Sequence, residues 1–317
     1  MKPINIGGHS AYQNRVLTQL HKYYPNAAVE DLFRQFEDNP PSDMAPCHRL
    51  WEIFNSFFLQ TSADKNLLSL KELALAGDGT PVYTSARERK TRTCDCLKKG
   101  IRDCKCDRIY HQPDYDIGWD SHRNRFYFGY DLYMFTASDS ANDLPVFPFL
   151  GPASRHDSHG FLYNWFSMKQ FLPEANVTKL ILDSGHDAMP YYEYCKENGI
   201  TPFIDLNGKG GSPHCTCEEP CSNAKYGRNV HLVLEDNPRL FNNPPRGSES
   251  WKLEFNARTS AERCNKREKT DYKLEDGRYR SSMMWYCRLF AIMMCQHLDA
   301  WNLSKSSLLK DLFEQAA

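Results

Sequence analysis

What this chain lacks narrows its class before any motif is considered. Its 317 residues contain no apolar run of about 18, the length a helix needs to cross a bilayer. The first residues, MKPINIGGHSAYQN, have no apolar stretch of the kind a secretory signal carries, so a cytoplasmic protein without membrane contact is expected. An excess of one charge is also missing: 39 Lys and Arg stand against 40 Asp and Glu, a formal net charge of −1. That balance argues against a surface uniformly built to coat nucleic acid. Without a secretory signal, a disulfide framework is not expected either, although 12 cysteines are present.

What the chain does have is local. Residues 86–109 hold nine Lys or Arg against four Asp or Glu, and residues 258–280 hold eight against five. Such stretches are either solvated faces or the electrostatic footprint of phosphate binding. The length allows one large α/β domain or a catalytic domain with appendages. Residues 1–70 read as a helical N-terminal segment, with helices near 11–23, 28–36 and 46–60.

At 71–84 the period changes. KELALAGDGTPVYT reads as a short strand ending at Asp78, a tight Asp-Gly turn and a second short strand. A polar, Cys-rich insertion follows at about 86–116, then the strongest strand pattern of the chain, FYFGYDLYMFTA at 126–137. After a loop containing Arg155-His156-Asp157-Ser158 come a helix near 160–171 and a strand at Lys179–Asp183. A helix at 187–198, capped by Asp187, leads to a strand at 200–206. Residues 71–206 thus read as the first part of a core and 207–256 as an irregular insertion. Residues 257–317 complete the core with helices at 257–270, 279–300 and near 303–315. This order points to an α/β protein with a mixed sheet flanked by helices.

Three carboxylates stand out by position. Asp78 and Asp183 each end an apolar strand, where the acids of an α/β sheet face the ligand cleft. Either one alone is as readily a turn or cap residue. Glu262 sits in Phe255-x2-Arg258-x3-Glu262-x6-Lys269. On a helix these offsets put Arg258, Glu262 and Lys269 roughly on one face. A carboxylate between two cations suits metal-dependent chemistry on phosphate, and the plain alternative is an ion-paired surface helix. Three such oxygen ligands converging at a sheet edge would bind a pair of Mg²⁺ ions about 3.5–4 Å apart.

Several segments carry a family resemblance: Leu75-Ala-Gly-Asp78-Gly-Thr80, Phe128-Gly-Tyr-Asp-Leu-Tyr133, Ile181-Leu-Asp183-Ser-Gly-His-Asp187 and Asn198-Gly-Ile-Thr-Pro202. With the Phe255–Lys269 motif added, residues 70–300 or so resemble the DDE transposases of bacterial insertion sequences. In many of these the motif is written Y-(2)-R-(3)-E-(6)-K. This chain keeps the spacings and the R, E and K but has Phe255 for tyrosine, which keeps the ring and loses the hydroxyl.

The resemblance implies an RNase H-like mixed sheet flanked by helices, with an irregular Cys-containing insertion before the last catalytic helix. It implies Asp78, Asp183 and Glu262 as ligands of Mg²⁺ or Mn²⁺. DNA contacts are implied for Phe255, Arg258, Arg263, Lys266 and Lys269. The implied reaction is phosphodiester cleavage at the element's terminal inverted repeats and strand transfer into target DNA by a homodimer. Two other readings stay open. One is a truncated or domesticated DNA-binding remnant with an idle triad, since residues 1–70 are short for a DNA-end-recognition domain. The other is a metal-dependent DNA nuclease on the same fold, without strand transfer.

The cysteines fall into groups. Cys94-x-Cys96-x7-Cys104-x-Cys106 supplies the four thiols of a tetrahedral zinc site, although the usual knuckle is C-x2-C and reduced loop thiols are the alternative. His214, Cys215, Cys217 and Cys221 form a second cluster, at a place where related transposases carry a Gly/Pro/Cys-rich segment. Cys47, Cys195, Cys264, Cys287 and Cys295 lie in helical patterns and read as buried thiols.

Overall fold

A computed structural model describes residues 29–41, 47–85, 91–92, 94–106, 108–109, 115–207, 238–239 and 242–314. Helix α1 (Val29–Asp38) opens with Glu30 and Asp31, where acids favour a helix N-terminus, and buries Leu32, Phe33 and Phe36. Helix α2 (His48–Phe54) continues through a π-helical stretch, Asn55–Leu59, into α3 (Gln60–Asp64). The helix expected at 11–23 lies outside the described residues.

Strand β1 (Leu73–Tyr83) comes next, followed by β2 (Thr91–Arg92) and β3 (Arg108–Ile109), which pair only with each other. Then come β4 (Asp116–Asp120), β5 (Arg125–Ala137), β6 (Leu144–Pro152) and α4 (Asp157–Phe171). The chain continues through β7 (Val177–Leu182), α5 (Met189–Glu197), β8 (Thr201–Ile204), α6 (Glu249–Asn256), α7 (Thr259–Thr270) and α8 (Ser282–Glu314).

The result is a mixed six-stranded sheet flanked by helices, in the order β4-β5-β1-β7-β8, with β6 also paired to β5. Central β1 is antiparallel to β5 and parallel to β7, and β7 is parallel to β8. A large apolar core that includes Phe33, Trp51, Phe54, Phe135, Trp165 and Trp285 joins α1, α2, α4 and α8 to the sheet. A small second cluster of Ala76, Ile181, Phe203, Trp251 and Ala261 lies under α6 and α7. No helix among the described residues is long and apolar enough to cross a membrane.

Four local expectations are corrected. Asp78-Gly79 is not a turn: β1 runs straight through it, because β5 offers an antiparallel partner along its whole length, Asp78 opposite Met134 and Gly79 opposite Tyr133. Glycine is needed at 79 for closeness and not for turning, since a Cβ there would lie 2.3 Å from Asp157 Oδ1. Segment 144–152, LPVFPFLGP, is a strand despite three prolines. It lies outside β5, where a missing N–H costs no ladder bond. The Leu150 N–H donates at 2.7 Å to Tyr286 Oη instead of to a strand, and Pro148 and Pro152 share its direction two residues to either side.

The last two helices are one. Residues 282–314 contain no glycine or proline, so nothing breaks α8 near 302. Asp187, finally, does not cap the next helix. Ala188 is the N-cap of α5, while the Asp187 carboxylate takes both Nε and Nη2 of Arg239 at 2.8 and 2.6 Å.

One buried amide ties three elements together. Asn164 on α4 is fully buried and its Nδ2 donates to the carbonyls of Tyr133 on β5 and Phe147 on β6, both at 3.1 Å. Asn164→Ala removes both donations and is expected to lower the unfolding free energy by about 2 kcal/mol in urea titration.

Candidate active site

Asp78 lies in the middle of the central strand and Asp183 directly after the neighbouring one. The two strands are parallel and pair Ala76 with Ile181, so each acid stands two residues beyond that pair. The carboxylates therefore leave adjacent strands at one level and toward one face. Helix α7 covers that face, its Ala261 in the small cluster with Ala76 and Ile181. Glu262 stands in the first turn of α7 and Arg258 is its N-cap residue. Arg258 Nη2 is 2.7 Å from Glu262 Oε1, so the plain helical ion pair does form.

Asp183 is held by its own short turn. It accepts from Gly185 N at 3.0 Å and contacts His186 Nδ1 at 2.6 Å. The imidazole is almost fully buried and its Nε2 lies 2.9 Å from Tyr133 Oη. One ring thus braces the acid after β7 against β5. Burial alone would raise the Asp183 carboxyl, but the hydrogen bond and charge of His186 hold it below the usual range.

Asp78 is the opposite case. Its carboxyl is pushed up to about 7 by burial first, then by the charges of Asp157 and Asp183, with Glu262 adding and Arg258 opposing. Asp183 and Glu262 are therefore both within electrostatic reach of Asp78.

Two further acids join them that the pattern of the chain did not single out. Asp157, the first residue of α4, reaches across Gly79 from the other face of β1. Its neighbour His156 takes the N-cap role, accepting from Ser158 N, so capping does not explain Asp157. Asp131 lies on β5, opposite Pro81, and only 7% of it is exposed. Burial raises the Asp131 carboxyl well above the carboxylate range, Asp157 and Asp78 add to that, and Lys269 and Arg155 oppose it. A lone Asp inside FYFGYDLYMFTA was the available signal, since an acid in an apolar run is costly unless it has a task.

The five expected DNA contacts are placed differently. The Phe255 ring stacks on Trp251 at 4.5 Å between centroids, with the Arg258 guanidinium 6.0 Å from its centre. Arg263 is engaged by Asp143 through Nε and Nη2, both at 2.6 Å, with over half of its side chain exposed. Lys266 is exposed on α7. Lys269 is mostly buried, 3.6 Å from Glu275, and burial pulls its ammonium below the usual range.

No family model, curated protein or solved structure matches the chain. The chemistry of the site therefore has to be argued from its own residues.

The four-cysteine arm shows the tightest gathering of ligand atoms. Cys94 and Cys104 sulfurs are 3.5 Å apart, those of Cys96 and Cys106 are 3.6 Å apart, and all four lie within 4.8 Å of one another. These four could hold a metal ion. Among the described residues no other set of three or more Cys, His or acidic groups is drawn together so closely, the acids around Asp78 included. The second Cys cluster, from His214 to Cys221, lies outside the described residues. Of the thiols expected to be buried, Cys47, Cys195 and Cys264 are, Cys287 is half-buried and Cys295 is exposed. Helix α8 simply turns that last residue outward.

The carboxyl shifts set a pH dependence for the metal-free protein. Asp78, Asp131 and Asp157 are raised in the fold, so the stability they contribute is full in acid and is lost as pH rises, in the case of Asp78 through about 7. Asp183 is lowered and works the other way, losing its contribution below about pH 4. Thermal melts in EDTA are expected to peak in mild acid and fall toward pH 8. Asp78→Asn should flatten that fall, and an unchanged slope would remove Asp78 from the account.

Proposed function

We propose that this chain is a DDE-type transposase, a polynucleotidyl transferase that cleaves phosphodiester bonds at insertion-sequence ends and joins them to target DNA. The observation that carries the reading is the triple placement of acids. Asp78 is on the central strand, Asp183 at the same level on the adjacent parallel strand, and Glu262 on the helix laid over both, each of the last two acting on the Asp78 carboxyl. The strand path β6-β5-β1-β7-β8, with only the β5 side antiparallel to β1, supports an RNase H-like core.

The donor set suits Mg²⁺ or Mn²⁺. Hard carboxylate oxygens are what such ions take, and a buried acid raised by its like-charged neighbours gains most from a cation. Asp78, Asp183 and Glu262 would hold the ion, which when bound supplies an activated water or 3′-OH and charge neutralisation at the phosphate.

The remaining roles belong to the chain itself. His186 fixes the orientation of Asp183 through its bond to Tyr133. Arg258, backed by the Phe255–Trp251 stack, presents a guanidinium to a DNA phosphate beside Glu262. Lys266 stands exposed for the same backbone. We assign Lys269 instead to bracing α7 against Glu275 and the buried Asp131. One observation favours the rival reading of an idle remnant: Glu262 is already paired to Arg258.

The four thiols are assigned to a structural zinc. Zinc–sulfur bonds of about 2.3 Å in a regular tetrahedron put sulfurs about 3.8 Å apart, close to the separations in the arm. The Cys94 thiol is lowered to about 7, by the Cys96 backbone N–H first and then by Cys104, while hydrogen bonding to Cys106 first pushes Cys96 up to about 12 and Cys106 is raised too, so without metal one thiolate is favoured among the four. A zinc tetrathiolate is a dianion, and the stretch that carries the four cysteines also carries Arg92, Lys98, Lys99, Arg102 and Lys105, cations of the sign that offsets it.

Duplexes bearing the inverted repeats that flank the coding sequence should be nicked in Mn²⁺ and joined to a second duplex. Glu262→Gln is expected to reduce both steps by at least about 100-fold. Full activity in the variant would sink the site, no nicking by the wild type would favour the remnant, and nicking without joining would mark a nuclease. For the arm, elemental analysis should find one zinc per chain, lost in Cys104→Ser. Co²⁺ should replace it with the intense absorption of a tetrahedral thiolate site, and metal-free protein with four titratable thiols would refute the assignment.

A further inference from the structure

The β4–β5 hairpin carries two large aromatics that the core does not use. Trp119 and Phe126 face each other across the ribbon and meet edge to face, with centroids 4.7 Å apart. They are 51% and 53% exposed, among the most open large apolar side chains described. A persistent exposed apolar pair marks a place that something else covers.

The rest of the tip says what that is. On the opposite face of the ribbon, Tyr127 stacks on Tyr83 at 4.9 Å, and the guanidiniums of Arg123 and Arg125 lie 4.9 and 4.8 Å from the Tyr83 ring centre. Arg125 Nε donates to Tyr83 Oη, which itself donates to Asp120 Oδ2 at 2.8 Å. Asp120 is the one acid of the tip, and it is 5% exposed and engaged by that bond. Everything the tip offers to solvent is neutral, aromatic or cationic: Trp119, Ser121, His122, Arg123, Asn124, Arg125 and Phe126. A protein partner would be served by the apolar pair alone. The arginines meet no exposed acid, only the buried Asp120 at 3.9 Å from Arg123, and so select a polyanion; the exposed aromatic pair on the other face of the same thin ribbon selects one with flat bases.

We infer that the β4–β5 hairpin is a stacking platform for an unpaired DNA base, Trp119 and Phe126 taking the base and Arg123 and Arg125 the flanking phosphates. The inference rests on the DNA-processing reading above and gives it a strand contact. The hairpin and Asp131 share one strand, since β5 runs from Arg125 at the tip through Asp131 to Ala137. A base held on the tip would keep a frayed strand end on the sheet that carries the acids.

Binding can be read without catalysis. Fluorescence anisotropy of a labelled oligo(dT), in EDTA, should show single-strand binding that Trp119→Leu weakens by about 5- to 100-fold. Trp119→Phe should bind almost as the wild type does, since phenylalanine keeps an aromatic face whereas leucine keeps only apolar area. Arg123→Ala should weaken binding and flatten its dependence on salt. Equal binding by the Leu and Phe variants would overturn the platform. So would a loss of self-association in sedimentation with oligo(dT) affinity unchanged, which would assign the patch to a second copy. Loss of oligo(dT) binding in Trp119→Leu with nicking absent in the wild type would leave the platform standing and the transposase reading fallen.

Discussion

Like charge packed together out of water is the constraint on which the rest of this structure depends. Asp78, Asp131 and Asp157 all sit where burial penalises their ionised forms; Asp157 adds to the cost at Asp78 and Asp131, and Asp183 adds to it at Asp78 and Asp157. The fold answers with placement. Gly79 leaves room for Asp157, while a side chain at Gly77 would collide with Tyr133 Oη at 2.7 Å. His186 holds the Asp183 carboxyl below the usual range, Arg258 stands at Glu262, and Lys269 opposes the charge on Asp131. Such a concentration of acids destabilises the fold as they ionise.

How much of this was legible in the chain depends on whether the information is local. Asp183 at the end of an apolar run and Glu262 one turn from Arg258 are local facts, and the structure has both where the pattern put them. Strand β5 was equally clear, because thirteen residues of alternating bulk leave little else to form. The rest turned on partners far away in sequence. Asp78-Gly79 has turn chemistry, and only the length of β5 overrides it. Asp187 looks like a cap until Arg239, 52 residues later, takes its carboxylate. Asp157 could not be tied to Asp78 without the crossing of α4 over Gly79.

The arm and the tip of the hairpin each hold fewer acids than cations. In the arm four sulfurs draw together. At the hairpin tip the lone acid is buried, accepts from Tyr83 and lies 3.9 Å from Arg123, while both guanidiniums rest on the tyrosine ring.

Strand β6 has a consequence for the molecule among its own kind. A sheet that ends in a free row of N–H groups invites another chain to continue it. From Pro148 to Pro152 the outer side of β6 offers no such group: Pro148 and Pro152 have no hydrogen to give, and the one between them, on Leu150, is taken by Tyr286. A strand laid against that stretch would find no donor to pair with.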